Sequence, residues 1–156
     1  MKIQHIWSVL CKESVIDQSD NNVSIHGVLE QLSIVLTPIN NAGKLPEKLG
    51  IPMNYEIVSL WQRSKEIESI KGDVEYILLD PDNKELLKNM QNMEIPKTSR
   101  RFRSRMKISG LPLSKKGDYI FQVKVKEEGA DAFHLVAELP LEIKINLERS
   151  QINSQG

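Results

Sequence analysis

Between residues 98 and 145 apolar and polar positions alternate almost without interruption. Phe102, Met106 and Ile108 fall on one side of the repeat, and Arg101, Arg103, Arg105 and Lys107 fall on the other. Tyr119, Phe121, Val123 and Val125 continue the rule, and Phe133, Leu135, Ala137, Leu139, Leu141, Ile143 and Ile145 extend it. A period of two residues belongs to β-strands. The segment therefore predicts three strands joined by turns, each with one face on a core and the other toward water.

The earlier part of the chain carries the same period in shorter pieces. Residues 1–12 read as a strand with Ile3, His5, Trp7, Val9 and Cys11 on one face and Gln4, Ile6, Ser8 and Leu10 on the other. Both faces are largely apolar, which predicts a central strand or one covered on both sides. A turn cluster follows at 17–22, built of residues that bond their own backbone. Residues 23–36 fit a helical stripe through Val28, Leu29, Leu32 and Val35, and a strand through Leu32, Ile34 and Leu36. Gly27 favours the strand, bulged or kinked. Residues 38–52 read as a long connection containing Pro38, Pro46 and Pro52. Residues 53–63 and 73–79 read as further strands, and Asp80, Pro81, Asp82 and Asn83 as a tight turn. Beyond it, Asp82 and Glu85 resemble a capping box, and Leu86, Leu87, Met90 and Met93 have helical spacing, so one short helical turn is expected before a strand.

The last two strands constrain each other. Core positions are odd-numbered in both, so paired numbers must sum to an even value, as with Phe121 opposite Leu139 and Val123 opposite Ala137. The loop between them then has an odd number of residues, for example 128–132, with Lys126 beside His134.

Roughly seven or eight strands without a strand–helix–strand rhythm predict an all-β domain, a single antiparallel β-sandwich with at most one short helix. The domain is expected to span 1–149, with a polar tail at 150–156. The chain's 156 residues suit one such domain. Lys plus Arg number 21 and so do Asp plus Glu, so no net charge draws the chain toward nucleic acid or membrane. The single Cys11 cannot form an internal disulfide and reads as a buried thiol rather than a reactive one. The polar first residues do not make a signal-peptide core. No run approaches the roughly 20 apolar residues of a membrane helix. A cytoplasmic, reducing location without membrane contact is expected.

Two resemblances follow from particular residues. Gly117, Asp118, Tyr119, Ile120, Phe121, Gln122 and Val123 resemble the tyrosine-corner entry to a late strand of immunoglobulin-like sandwiches, which implies that the Tyr119 hydroxyl bonds upstream backbone. The paired cysteines and intervening Trp of antibody domains are not matched. The runs at 8–11, 16–17, 21–24, 59–61, 110–113 and 117–119, which include Cys11, Asn21, Asn22, Trp61 and Leu111, resemble a family of small uncharacterised bacterial proteins, a domain of unknown function. That resemblance implies a compact, mostly antiparallel β domain and brings no catalytic residues.

Candidate chemistry is sparse. Arg101, Arg103, Arg105 and Lys107 would stand about 7 Å apart on one strand face. Such a row could grip a polyanion, or be a solvated face paired with glutamates on a neighbouring strand, where it also guards an edge against aggregation. No outward aromatic residue interleaves with it, as a stacking platform for single strands would require. His5, His26 and His134 lack ligand spacing, so no metal is expected, and no cofactor either. Oxygen-rich turns at 17–22 and 80–83 are explained by turn formation. No nucleophile-elbow, phosphate-loop or zinc-hydrolase motif is present. The sequence thus predicts a non-catalytic interaction module that binds a protein partner or itself. Trp7 and Trp61 are candidates for an interface or for core packing, and nucleic-acid binding through Arg101 to Lys107 is the alternative.

Overall fold

The turn at 80–83 shows how local chemistry directs the chain. In the computed structural model, which describes residues 1–36, 49–66 and 68–148, the Asp80 Oδ1 accepts the backbone N–H of Asp82 (2.8 Å) and of Lys84 (2.9 Å). Its Oδ2 accepts the Ser114 hydroxyl at 2.7 Å, and Asn83 takes a left-handed φ of 62°. Desolvation raises the Asp80 pKa, but the bonds from Ser114, Lys84 and Asp82 and the nearby Lys115 outweigh it and hold the carboxyl below its ordinary value. The chain therefore reverses sharply. Residues beyond the turn pair with the preceding strand instead of winding, which corrects the helical turn expected there. A lone helix of this length is marginal in water, whereas an open strand edge offers a hydrogen bond to every second residue.

Nine strands are present among the described residues, and no helix. They are β1 (Ile3–Ile16), β2 (Val23–Val28), β3 (Gln31–Leu36), β4 (Leu49–Arg63), β5 (Ile70–Leu79), β6 (Glu85–Ile95), β7 (Arg101–Leu113), β8 (Gly117–Glu127) and β9 (His134–Leu147). One sheet has the order β2-β1-β4-β7 and the other β3-β9-β8-β5-β6. All pairs are antiparallel except β3 with β9, which run parallel. The wholly antiparallel expectation is corrected at that pair. Residues 23–36 are extended, as expected, but they form two strands in different sheets. The chain crosses between them at Leu29, which is buried and donates its N–H to Leu10 O at 2.9 Å. Most of the connection expected at 38–52, and the tail at 150–156, lie outside the described residues.

The core lies between the sheets. Tyr55, Ile57 and Trp61 come from β4, Val74, Tyr76 and Leu78 from β5, and Tyr119, Phe121, Val123 and Val125 from β8. Each such aliphatic or phenyl side chain contributes on the order of 1.5–3 kcal/mol through burial. Tyr119, Phe121, Val123 and Val125 face the core as their alternation predicts, whereas β4 and β5 bury residues of both faces, among them Val58, Glu75 and Ile77.

The last hairpin obeys the parity argument and then departs from it. Phe121 pairs with Leu139 and Val123 with Ala137, but the register shifts there, so that Lys124 pairs with Leu135 and Val125 with His134. The loop covers 128–133, an even count, and Val136 is the extra residue of a bulge. Val136 consequently packs on the core, and Leu135 is 48% exposed. Lys126 lies 5.0 Å from the ring centroid of Phe133 rather than beside His134. A second bulge, between His5 and Trp7, shifts the register of β1 on β4. It places Leu10 inside the sandwich and Trp7, Val9 and Cys11 on the outer side.

Candidate functional site

Cross-strand register defines the outer face of the four-stranded sheet. Its rows run Gln4–Gln62–Arg101, Trp7–Leu60–Arg103, Val9–Val58–Arg105 and Cys11–Glu56–Lys107. The four cations share one face of β7, as their alternation required. The neighbouring strand answers them with a single acid, Glu56, and none of the four forms an ion pair with a described residue.

This face is not an open plane. Val58 and Cys11 belong to it and are fully buried. The far end of β1 and the turn after it fold back over the sheet, held by two of the arginines. Arg103 Nη2 donates to Asn21 O at 2.8 Å, and Arg105 Nη1 reaches Ser14 O at 3.5 Å. The Ser14 hydroxyl donates to Glu56. The turn itself is rigidified by Asp17, whose Oδ1 accepts from Ser19 N (2.8 Å), and by Asp20, which accepts from Asn22 N (2.9 Å). The hydrogen bonds from Ser19 hold the Asp17 carboxyl below its ordinary pKa. Arg103 and Arg105 are therefore half-buried, and Arg101 and Lys107 are exposed.

A groove of about 720 Å³ opens beside this overhang. Trp7, Leu60, Ile16 and Val23 supply its apolar lining, and Asn21, Arg101 and Arg103 its polar one. Arg101 Nε is 3.2 Å from Gln62 Oε1, and Arg103 Nε is buried without a hydrogen-bond partner. Further along β7 a second depression, of about 520 Å³, is lined by Lys12 and Lys107 together with Glu13 and Glu56.

The two tryptophans have separate fates. Trp61 is fully buried in the core, where its Nε1 donates to Ser104 Oγ at 2.9 Å. Trp7 is half-buried on the outer face and lines the groove. Cys11 is a buried free thiol, and burial, with Glu56 adding to it, pushes its pKa up, which disfavours the nucleophilic thiolate.

Sequence reading missed a chain of hydroxyls inside the sandwich. His5 Nε2 lies 2.8 Å from Ser8 Oγ, Ser8 Oγ lies 2.7 Å from Ser59 Oγ, and Tyr76 Oη lies 3.3 Å from Ser104 Oγ. Only the small serines at core parity, Ser59 and Ser104, hinted at it. The His5–Ser8 pair has the spacing of a base and a nucleophile. However, His5 packs edge-on against Trp61 with ring centroids 5.2 Å apart, and neither residue lines the two depressions described above. The pair satisfies buried polar groups. Among the described residues no group of three His, Cys, Asp or Glu side chains could hold a metal ion. No helix among them is long and apolar enough to cross a membrane.

The chain matches no protein-family model and no curated protein sequence.

Proposed function

We propose that this protein is an immunoglobulin-like interaction module that binds a protein partner through the outer face of the β2-β1-β4-β7 sheet. The strand order supports the architecture. In it β4 and β7 pair as the B and E strands of an immunoglobulin-like domain do, β5, β8 and β9 as C, F and G, and β6 extends that sheet as C′. The Tyr119 hydroxyl at the start of β8 accepts from Ser114 N and Lys115 N, each at 3.1 Å, and donates to Lys115 O, the bonding expected of a tyrosine corner.

The observation that carries the binding reading is Trp7. It is a large aromatic side chain left partly exposed in a groove, next to Arg101 and Arg103. Aromatic and arginine side chains are the residues that most often anchor protein interfaces. A polyanion track needs its cations open along the whole row, and here the middle of the row is covered: Arg103 donates to Asn21 O and Arg105 Nη1 lies 3.5 Å from Ser14 O, which leaves only Arg101 and Lys107, at opposite ends, exposed. That favours a protein partner over nucleic acid.

The test is site-specific photocrosslinking in cells. A crosslinking residue at Trp7 or Arg101 is expected to form a discrete adduct, and one at Gln122, on the opposite sheet, is not. Light scattering of the purified chain separates a second copy from a different partner. Equal yields at all three positions, or none, would remove the reading. Salt-sensitive retention on DNA or RNA that is lost in the Arg101→Gln, Arg103→Gln, Arg105→Gln triple variant would replace it with the polyanion reading.

A further inference from the structure

We infer that the groove beneath the β1–β2 turn receives a carboxylate-bearing apolar segment of a partner polypeptide, with Arg101 and Arg103 taking the carboxylate and Trp7 and Leu60 packing the adjacent side chain. The inference rests on the interaction reading above and names the chemistry of what that face receives.

The groove is lined by two arginines and no carboxylate, so its polar side is wholly cationic apart from asparagine amides. Register places Arg103 directly across from Leu60, and Leu60 across from Trp7. A ligand lying along that row meets a cation and then an apolar surface within two strand spacings, about 10 Å. A side chain that is only charged, or only apolar, would leave half of the row unmatched.

Arg103 is tied to the turn that roofs the groove. Its Nη2 is bonded to Asn21 O, which fixes the guanidinium plane. Its Nε is buried and has no hydrogen-bond partner. Arg103 is thus held at the groove wall by the β1–β2 turn, and Arg101, exposed and bonded among the described residues only to the neutral Gln62, supplies the attracting charge at the entrance.

Size and surroundings separate a peptide from a nucleic acid. A volume of about 720 Å³ lies in the range of sites that enclose a small ligand or a few side chains. A phosphate backbone would continue along β7 toward Lys107. There it would meet Glu13 and Glu56, which line the next depression. Those two carboxylates offset Lys12 and Lys107, so the uncompensated cationic charge is local to the Arg101 end, which suits one or two carboxylates and opposes a long polyphosphate track.

The experiment is calorimetric titration of the full chain with an acetylated hexapeptide that alternates glutamate and phenylalanine. The controls are the same peptide with glutamine for glutamate, and oligothymidylate. The acidic peptide is expected to bind, with the glutamine peptide about tenfold weaker or more, as befits loss of charge-assisted bonds. Arg101→Gln, at an exposed position, is expected to weaken the acidic peptide by about tenfold without moving the thermal midpoint. Trp7→Ala is expected to weaken both peptides together. The inference is overturned if the acidic peptide produces no binding at millimolar concentration, if the glutamine peptide binds equally well, if Arg101→Gln changes nothing, or if oligothymidylate binds more tightly. Crosslinks at Trp7 together with silent calorimetry would reject this ligand class and leave the interaction reading standing. Loss of both would reject both.

Discussion

The indole Nε1 of Trp61 and the Oγ of Ser104 meet at 2.9 Å in the centre of the sandwich, both residues almost fully removed from solvent. The Ser104 hydroxyl also lies 3.3 Å from Tyr76 Oη. Replacing Ser104 by Ala leaves a buried indole N–H without an acceptor. The expected cost is about 1–3 kcal/mol in urea denaturation, and a Ser104→Ala, Trp61→Phe double-mutant cycle is expected to show coupling between the sites. Additive losses would show that the bond contributes nothing of its own.

Tyr119 anchors the entry to β8 through three backbone bonds on one hydroxyl. In Tyr119→Phe the N–H groups of Ser114 and Lys115 lose their acceptor and the ring stays in place. The expected destabilisation is about 1–3 kcal/mol. Hydrogen exchange should locate the change at residues 114–119, with the amides of Ser114 and Lys115 losing most protection.

His5 links stability to pH. Burial lowers its pKa from the ordinary 6.5, against an opposing bond to the Trp7 backbone. The unfolded chain therefore takes up this proton at a higher pH than the folded one. The stability tied to neutral His5 is fully present above pH 6.5 and is lost as pH falls from there toward the folded value. His5→Gln is expected to flatten that part of the stability–pH curve, measured by urea denaturation at closely spaced pH values. An unchanged slope would mean that His5 is solvated.

The β9 bulge makes a prediction that contradicts simple alternation. Leu135 is 48% exposed, and Val136 packs against the core. Leu135→Ser is expected to change stability by under about 0.5 kcal/mol. Val136→Ser is expected to cost about 1–3 kcal/mol, because it takes apolar contact from the core and brings a hydroxyl toward it. The reverse ranking would restore the unbulged register.

Particular residues show where sequence reading succeeds and where it stops. The side on which Tyr119, Phe121, Val123 and Val125 lie follows from the pleat alone, as does the outward row from Arg101 to Lys107. Leu135 and Val136 were not separable, since a bulge adds one residue without changing composition. Leu86, Leu87, Met90 and Met93 carried helical spacing, yet the unpaired edge of β5 drew them into a strand. Trp7 and Trp61 looked alike as apolar-strand tryptophans, and the β1 register shift and the strand parity send one outward and one inward.

By itself the sequence determined the all-β class, many strand faces, and the turns at 17–22 and 80–83. Those are local properties, set by a two-residue pleat and by side chains that bond the backbone next to them. Tertiary structure alone decided the parallel pairing of β3 with β9, the register shifts of β1 and β9, the hydroxyl chain through Ser59 and Ser104, and the fold-back of the β1–β2 turn onto Arg103 beside the groove. Each of these depends on which distant strands come together, and hydrophobic alternation states which way a side chain faces without stating what it will face.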